Sequence, residues 1–121
     1  MFIRDLAACE EFTAGDGCRL RELFHPDKEL LDVEYSFAEA LVDPGEGTYR
    51  HRLREASEVY YILEGEGLMH IGDEAEPVLP YQAVYIPPGA IQFIENTGQT
   101  PLRFICIVEP GWRQDDEEVF D

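Results

Sequence analysis

Between residues 47 and 108, apolar side chains recur in short runs that turn residues interrupt every ten residues or so. Residues 48–54, 58–63, 68–71, 84–86, 91–94 and 102–108 read as strands, rich in Tyr, Ile, Val and Phe. The separators are Gly65-Glu66-Gly67, Gly72-Asp73, Pro87-Pro88-Gly89 and Asn96-Thr97-Gly98. Short strands at that spacing predict an all-β sandwich or barrel. Ahead of them, residues 6–12 suggest a short helical piece, and residues 18–24 alternate imperfectly as a strand. His25-Pro26-Asp27 ends that strand, because proline cannot continue a ladder. Residues 33–42 are apolar enough for strand or helix. Tyr35, Phe37 and the Pro44-Gly45-Glu46-Gly47 turn favour strand.

No linker or repeat divides the 121 residues, a length that suits one domain. Residues 1–39 are expected to pack, as strands and a short helix, on a barrel core of residues 40–110. Residues 111–121 form an acidic C-terminal tail, whose Asp115-Asp116-Glu117-Glu118 run reads as a solvated end. Trp112 is expected to pack over the barrel or a partner subunit.

Charge narrows the function. The formal net charge is −17, and Lys28 is the sole lysine. Nucleic acid is excluded as a partner, because it demands a basic footprint, and an anionic membrane surface is excluded on the same ground. No apolar run approaches the ~18 residues of a membrane span, and Met1-Phe2-Ile3-Arg4-Asp5 lacks a signal-peptide layout. A cytoplasmic location is the expectation. Cys9, Cys18 and Cys106 form no CxxC and are odd in number, which suits a reducing compartment. Cys106, within an apolar run, reads as a small buried hydrophobe.

Two ordered motifs carry the chemistry. Gly45, His51, Glu58 and Gly65 match a glycine, five residues, His-x-His, a short gap, Glu, six residues, Gly. Pro87, Gly89, Gln92 and Asn96 match Pro-x-Gly-x-x-His-x-x-x-Asn, and fifteen residues separate Gly65 from Tyr81, where the second motif opens. Over residues 40–110 the chain thus resembles the cupins. The resemblance implies an all-β fold, a single double-stranded β-helix or jelly-roll barrel, and a metal inside it. Residue by residue it makes His51 and Glu58 metal ligands and Gln92 a weaker third, with Leu53 standing where the motif has its second histidine. It also implies a divalent ion (Zn, Mn, Fe or Ni), a small-molecule ligand and a homodimer.

Strand alternation puts His51 on one face with Tyr49 and Leu53, and Glu58 with Tyr60. Tyr49, Leu53 and Tyr60 are therefore cavity-lining candidates. A carboxylate isolated in such a cavity needs a cation, a proton or a hydrogen bond from His51 or Gln92. Arg50, Arg52 and Arg54 fall on the opposite face and are expected to pair with acids outside. His70 reads as an exposed strand histidine and His25 as a strand-end cap. No catalytic residue can be named from the sequence. The function reads as a metal-binding cupin acting on or binding a small polar organic molecule. A metal-free ligand-binding cupin and a structural barrel with a vestigial site are the rivals.

The acidic, lysine-poor composition also suits work at high salt, where screening weakens self-repulsion. The melting temperature is expected to rise between low-salt buffer and molar KCl. A flat response would remove that reading.

Overall fold

The computed structural model describes residues 1–120, which fold into two facing antiparallel sheets. The strands are β1 (Glu11–Thr13), β2 (Arg19–Phe24), β3 (Ser36–Val42), β4 (His51–Leu53), β5 (Ser57–Glu64), β6 (Gly67–Ile71), β7 (Glu74–Val78), β8 (Ala83–Ile86), β9 (Gln92–Asn96), β10 (Leu102–Glu109) and β11 (Glu117–Val119). One sheet has the order β1-β2-β3-β10-β5-β8 and the other β11-β4-β9-β6-β7. From β3 onward, chain neighbours switch between sheets except at the β6–β7 hairpin, which is the jelly-roll arrangement. Among the described residues no helix is long and apolar enough to cross a membrane.

The side-chain period of two fills the interior. In β10, Leu102, Phe104, Cys106 and Val108 are buried and alternate with half-buried Arg103, Ile105 and Ile107. Register sets Phe104 beside Ala40 and Ile62, and Cys106 beside Ala38 and Tyr60. Ile62, Ile94, Leu102 and Phe104 have no exposed surface, so each contributes roughly 1.5–3 kcal/mol by leaving water. Small Ala38 and Ala40 on β3 leave room for the ring pair Tyr60–Phe104, whose centroids are 4.4 Å apart.

Three segments differ from expectation. Residues 6–12 hold only one 3-10 turn, Leu6–Ala8, followed by β1. Asp5 caps that turn, but nothing in it is buried, so no apolar face holds a longer helix. Strand β7 reads Glu-Ala-Glu-Pro-Val and is exposed except for Val78. It is an edge strand, so its outer edge tolerates a proline that interior strands exclude. The tail is not a solvated end: β11 pairs with β4 in register Glu117↔Leu53 and Val119↔His51. Asp116 accepts the backbone N–H groups of Glu55 and Ala56, and Arg52 and Arg54 pair with Glu118. The tail's acids are thus partners for Arg52 of β4 and for Arg54 just beyond it. Strand β4 in turn meets β9 at a single residue pair, His51↔Gln92.

Gly65, between β5 and β6, has φ +87°, and a Cβ there would lie 2.6 Å from the Pro101 carbonyl oxygen. Gly72 also has positive φ, but open space around it. Gly65→Ala is expected to destabilise by more than about 2 kcal/mol and Gly72→Ala by about 1 kcal/mol, read by urea denaturation. Equal losses would mean that the Pro101 contact does not constrain the turn.

Candidate functional site

The inward faces change character along the barrel. At one end they are Val42, Ile62, Leu102 and Phe104; at the other they are Ser36, Glu58, His51 and Gln92. The polar end encloses a cavity of about 30 Å³, bordered by Asp16, Ser36, His51, Leu53, Glu58 and Glu117 and floored by apolar and aromatic side chains. That is the size of an ion with a water, not of an organic molecule.

His51 opens β4 and is buried. Its Nδ1 lies 2.7 Å from the Tyr49 carbonyl oxygen. A carbonyl only accepts, so the ring carries its proton on Nδ1 and directs Nε2 inward. Nε2 is 3.4 Å from Asp16 Oδ2.

Glu58, Gln92 and Tyr60 form a second group. The Gln92 amide donates to Glu58 Oε1 at 2.9 Å, and the Tyr60 hydroxyl donates to Gln92 Oε1 at 3.1 Å. Burial pushes the Glu58 carboxyl up from 4.5 to about 8; the Gln92 hydrogen bond opposes the rise, while Asp16 and Glu117 add to it. Glu58 is therefore a neutral acid at pH 7. Burial first, and Glu58 second, raises the Tyr60 hydroxyl. Burial also pushes the Cys18 and Cys106 thiols well up, which leaves neither as a ready thiolate.

Of the residues singled out from sequence, His51, Leu53, Glu58 and Tyr60 border the cavity, and Gln92 lies behind, bonded to Glu58 and Tyr60. Tyr49 does not border it: the residue is 52% exposed. Strand β4 begins only at His51, so the alternation that would have turned Tyr49 inward does not reach it. What Tyr49 supplies is backbone, a carbonyl to His51 and an N–H to the Asp16 carbonyl at 2.7 Å. His25 is buried and takes a tighter role than a strand-end cap. Its Nδ1 accepts from the Asp27 N–H, and its Nε2 donates to the Trp112 carbonyl at 2.6 Å. His70 is half-buried, stacked on Phe93 and 2.7 Å from Glu95. Trp112 packs over Leu53, Ala56 and Val108.

Sequence reading missed Asp16 and Glu117. Asp16 sits in the β1–β2 turn, where its Oδ1 accepts the Cys18 N–H at 3.0 Å. Glu117 opens β11 and is bonded by Trp112 and the Gly15 N–H; burial raises its carboxyl first, and Asp16 adds to this. One ligand atom each from Asp16, His51 and Glu117 lies within 4.8 Å of the others. The only sequence signal was an Asp-Gly turn and a glutamate among other tail acids. Neither carries distance information.

A model of the family described as the cupin domain matches residues 38–108. An uncharacterized protein of Methanocaldococcus jannaschii is 40% identical over 110 residues, covering 91% of this chain and 87% of that protein. The oxalate-binding protein of Thermotoga maritima is 33% identical over 72 residues, 60% of either chain, so the match spans about three fifths of that relative. Among solved structures, the nucleoside dehydratase Pac13 of Streptomyces superposes with a TM-score of 0.79 at 17% identity, over 99% of this chain and 91% of that one. At that identity the likeness is one of fold.

Glu58 dictates a pH response. Between 4.5 and about 8 the folded protein holds a proton that the unfolded chain has released. Stability therefore falls as pH rises through that window, by up to about 1.4 kcal/mol per pH unit and a few kcal/mol in all. Glu58→Gln is expected to flatten the slope and to be more stable than wild type at the alkaline end, read by urea denaturation across the window. Parallel pH profiles would show that Glu58 is ionised in the fold.

Proposed function

The chain belongs to the cupin domain family, and on that footing we propose that it is a metal-binding cupin whose barrel mouth takes a small, uncharged or cationic polar organic molecule. The observation that carries this reading is the orientation of His51. Its Nδ1 is held by a backbone carbonyl, and its Nε2 faces an ion-sized cavity beside a buried carboxylate. An imidazole fixed in this way is prepared as a ligand.

The charge of the cavity supports the ligand class. Asp16, Glu58 and Glu117 border it, and among the described residues no lysine or arginine does. A dicarboxylate such as oxalate, which the Thermotoga relative is named for binding, would meet carboxylates rather than a basic clamp. A neutral or cationic molecule meets acceptors, together with the Glu58 acid as a hydrogen-bond donor. A bound divalent ion would supply Lewis acidity towards a ligand oxygen. His51 would hold that ion, and the chain's acids would orient what binds beside it.

Metal content by mass spectrometry, after equilibration near neutral pH with zinc, manganese, iron or nickel, tests the reading. About one ion per chain is expected in wild type with at least one of these metals, and loss of that ion in His51→Ala. Negligible metal in wild type with all four would overturn this reading and make the metal-free binding cupin the leading one, ahead of the structural barrel.

A further inference from the structure

We propose that Asp16, His51 and Glu117 form a divalent-cation site in which the C-terminal strand supplies a ligand, so that one ion straps the tail across the barrel mouth. This rests on the metal-binding reading above and assigns its donors.

The donor set follows from which atoms are already engaged. Gln92 has its oxygen on the Tyr60 hydroxyl and its amide on Glu58. Leu53, next inward along β4, has no donor atom. Asp16 uses Oδ1 on the Cys18 N–H, and its Oδ2 is the oxygen that faces His51. Glu117 is steered inward by the Trp112 indole and the Gly15 N–H. A Cβ on Gly15 would fall on Glu117 Oε1, so any side chain at residue 15 would displace that carboxylate from its present place.

The geometry then needs a positive charge. A neutral His51 ring with its proton on Nδ1 presents the Nε2 lone pair to Asp16 Oδ2 at 3.4 Å. Lone pair and carboxylate repel, and a second carboxylate stands within 4.8 Å of both. A cation among the three removes the conflict. Ligands on one ion at about 2.1 Å lie about 3–4 Å apart, so the present spacing tightens by about an ångström on binding. One nitrogen and two carboxylate oxygens suit manganese, iron(II) or zinc.

The three donors lie on segments far apart in sequence. β11 is a three-residue edge strand, held outside the cavity mainly by β4 pairing and surface ion pairs. Elements of that kind open at low free energy. An ion at Glu117 would tie this edge to the β1–β2 turn and to β4.

Calorimetric titration with Mn²⁺ and Zn²⁺, with hydrogen exchange of the tail as a second readout, tests the site. Asp16→Asn, which keeps an oxygen for the Cys18 N–H, and Glu117→Gln are each expected to weaken metal binding at least about tenfold. Glu58→Gln and Gln92→Ala are expected to stay within about threefold of wild type. Metal should slow exchange at the backbone of residues 117–120 at least about tenfold in wild type and not in Glu117→Gln. Metal binding that survives Asp16→Asn and Glu117→Gln but is lost in Glu58→Gln would overturn this assignment and leave the metal-binding function standing. Absence of metal binding in wild type would overturn both.

Discussion

Taking carboxyl groups out of water is the constraint around which one end of this barrel is arranged. Asp16, Glu58 and Glu117 border a cavity of about 30 Å³ with a single imidazole among them. Each buried ion of this kind carries a penalty of several kcal/mol unless it is paired, bonded or neutralised. The protein answers each case differently. Glu58 keeps a proton and a Gln92 hydrogen bond. Asp16 takes a backbone N–H. Glu117 takes the Trp112 indole and the Gly15 N–H. The placement of Trp112, of Gly15 and of the tail follows from those needs.

The opposite end makes such an arrangement sustainable. Ile62, Ile94, Leu102 and Phe104 have no exposed surface, and their burial supplies the favourable free energy against which the polar end is set. Strands β3, β5 and β10 run through both ends, so one pleat delivers the apolar floor and the acidic mouth. Outside, Arg52, Arg54 and Arg103 take up part of a large acidic excess; Arg103 bridges Glu39 and Glu64. The exposed pairs among these contribute about 0–1 kcal/mol each and set orientation more than stability, whereas Glu39 is buried.

Much of this was legible in residue order. The barrel strands were visible because each carries apolar residues on alternate positions between turn formers. His51, Glu58 and Gln92 were visible because motif spacing fixes their strands, and the three do come inward. What residue order concealed has a common cause. β7 buries only Val78, so it shows no alternation. β11 is three residues of an acidic run, and only pairing with β4 separates inward Glu117 from outward Glu118. Asp16 reaches the cavity through a turn whose partner is the Tyr49 backbone. Tyr49 was expected inside because a strand period was extended two residues past the point where the ladder begins. Pattern reading senses the face of a long element. It is blind to short elements whose orientation is decided by what they pair with.

The single residue pair that joins β4 to β9 has a mechanical meaning. The ribbon of β4 and β11 meets β9 at His51 against Gln92, and the Thr48 N–H on the Ile94 carbonyl and the Gly89 N–H on the Leu53 carbonyl flank that pair. A shift of that ribbon would move the imidazole against the amide that steadies Glu58.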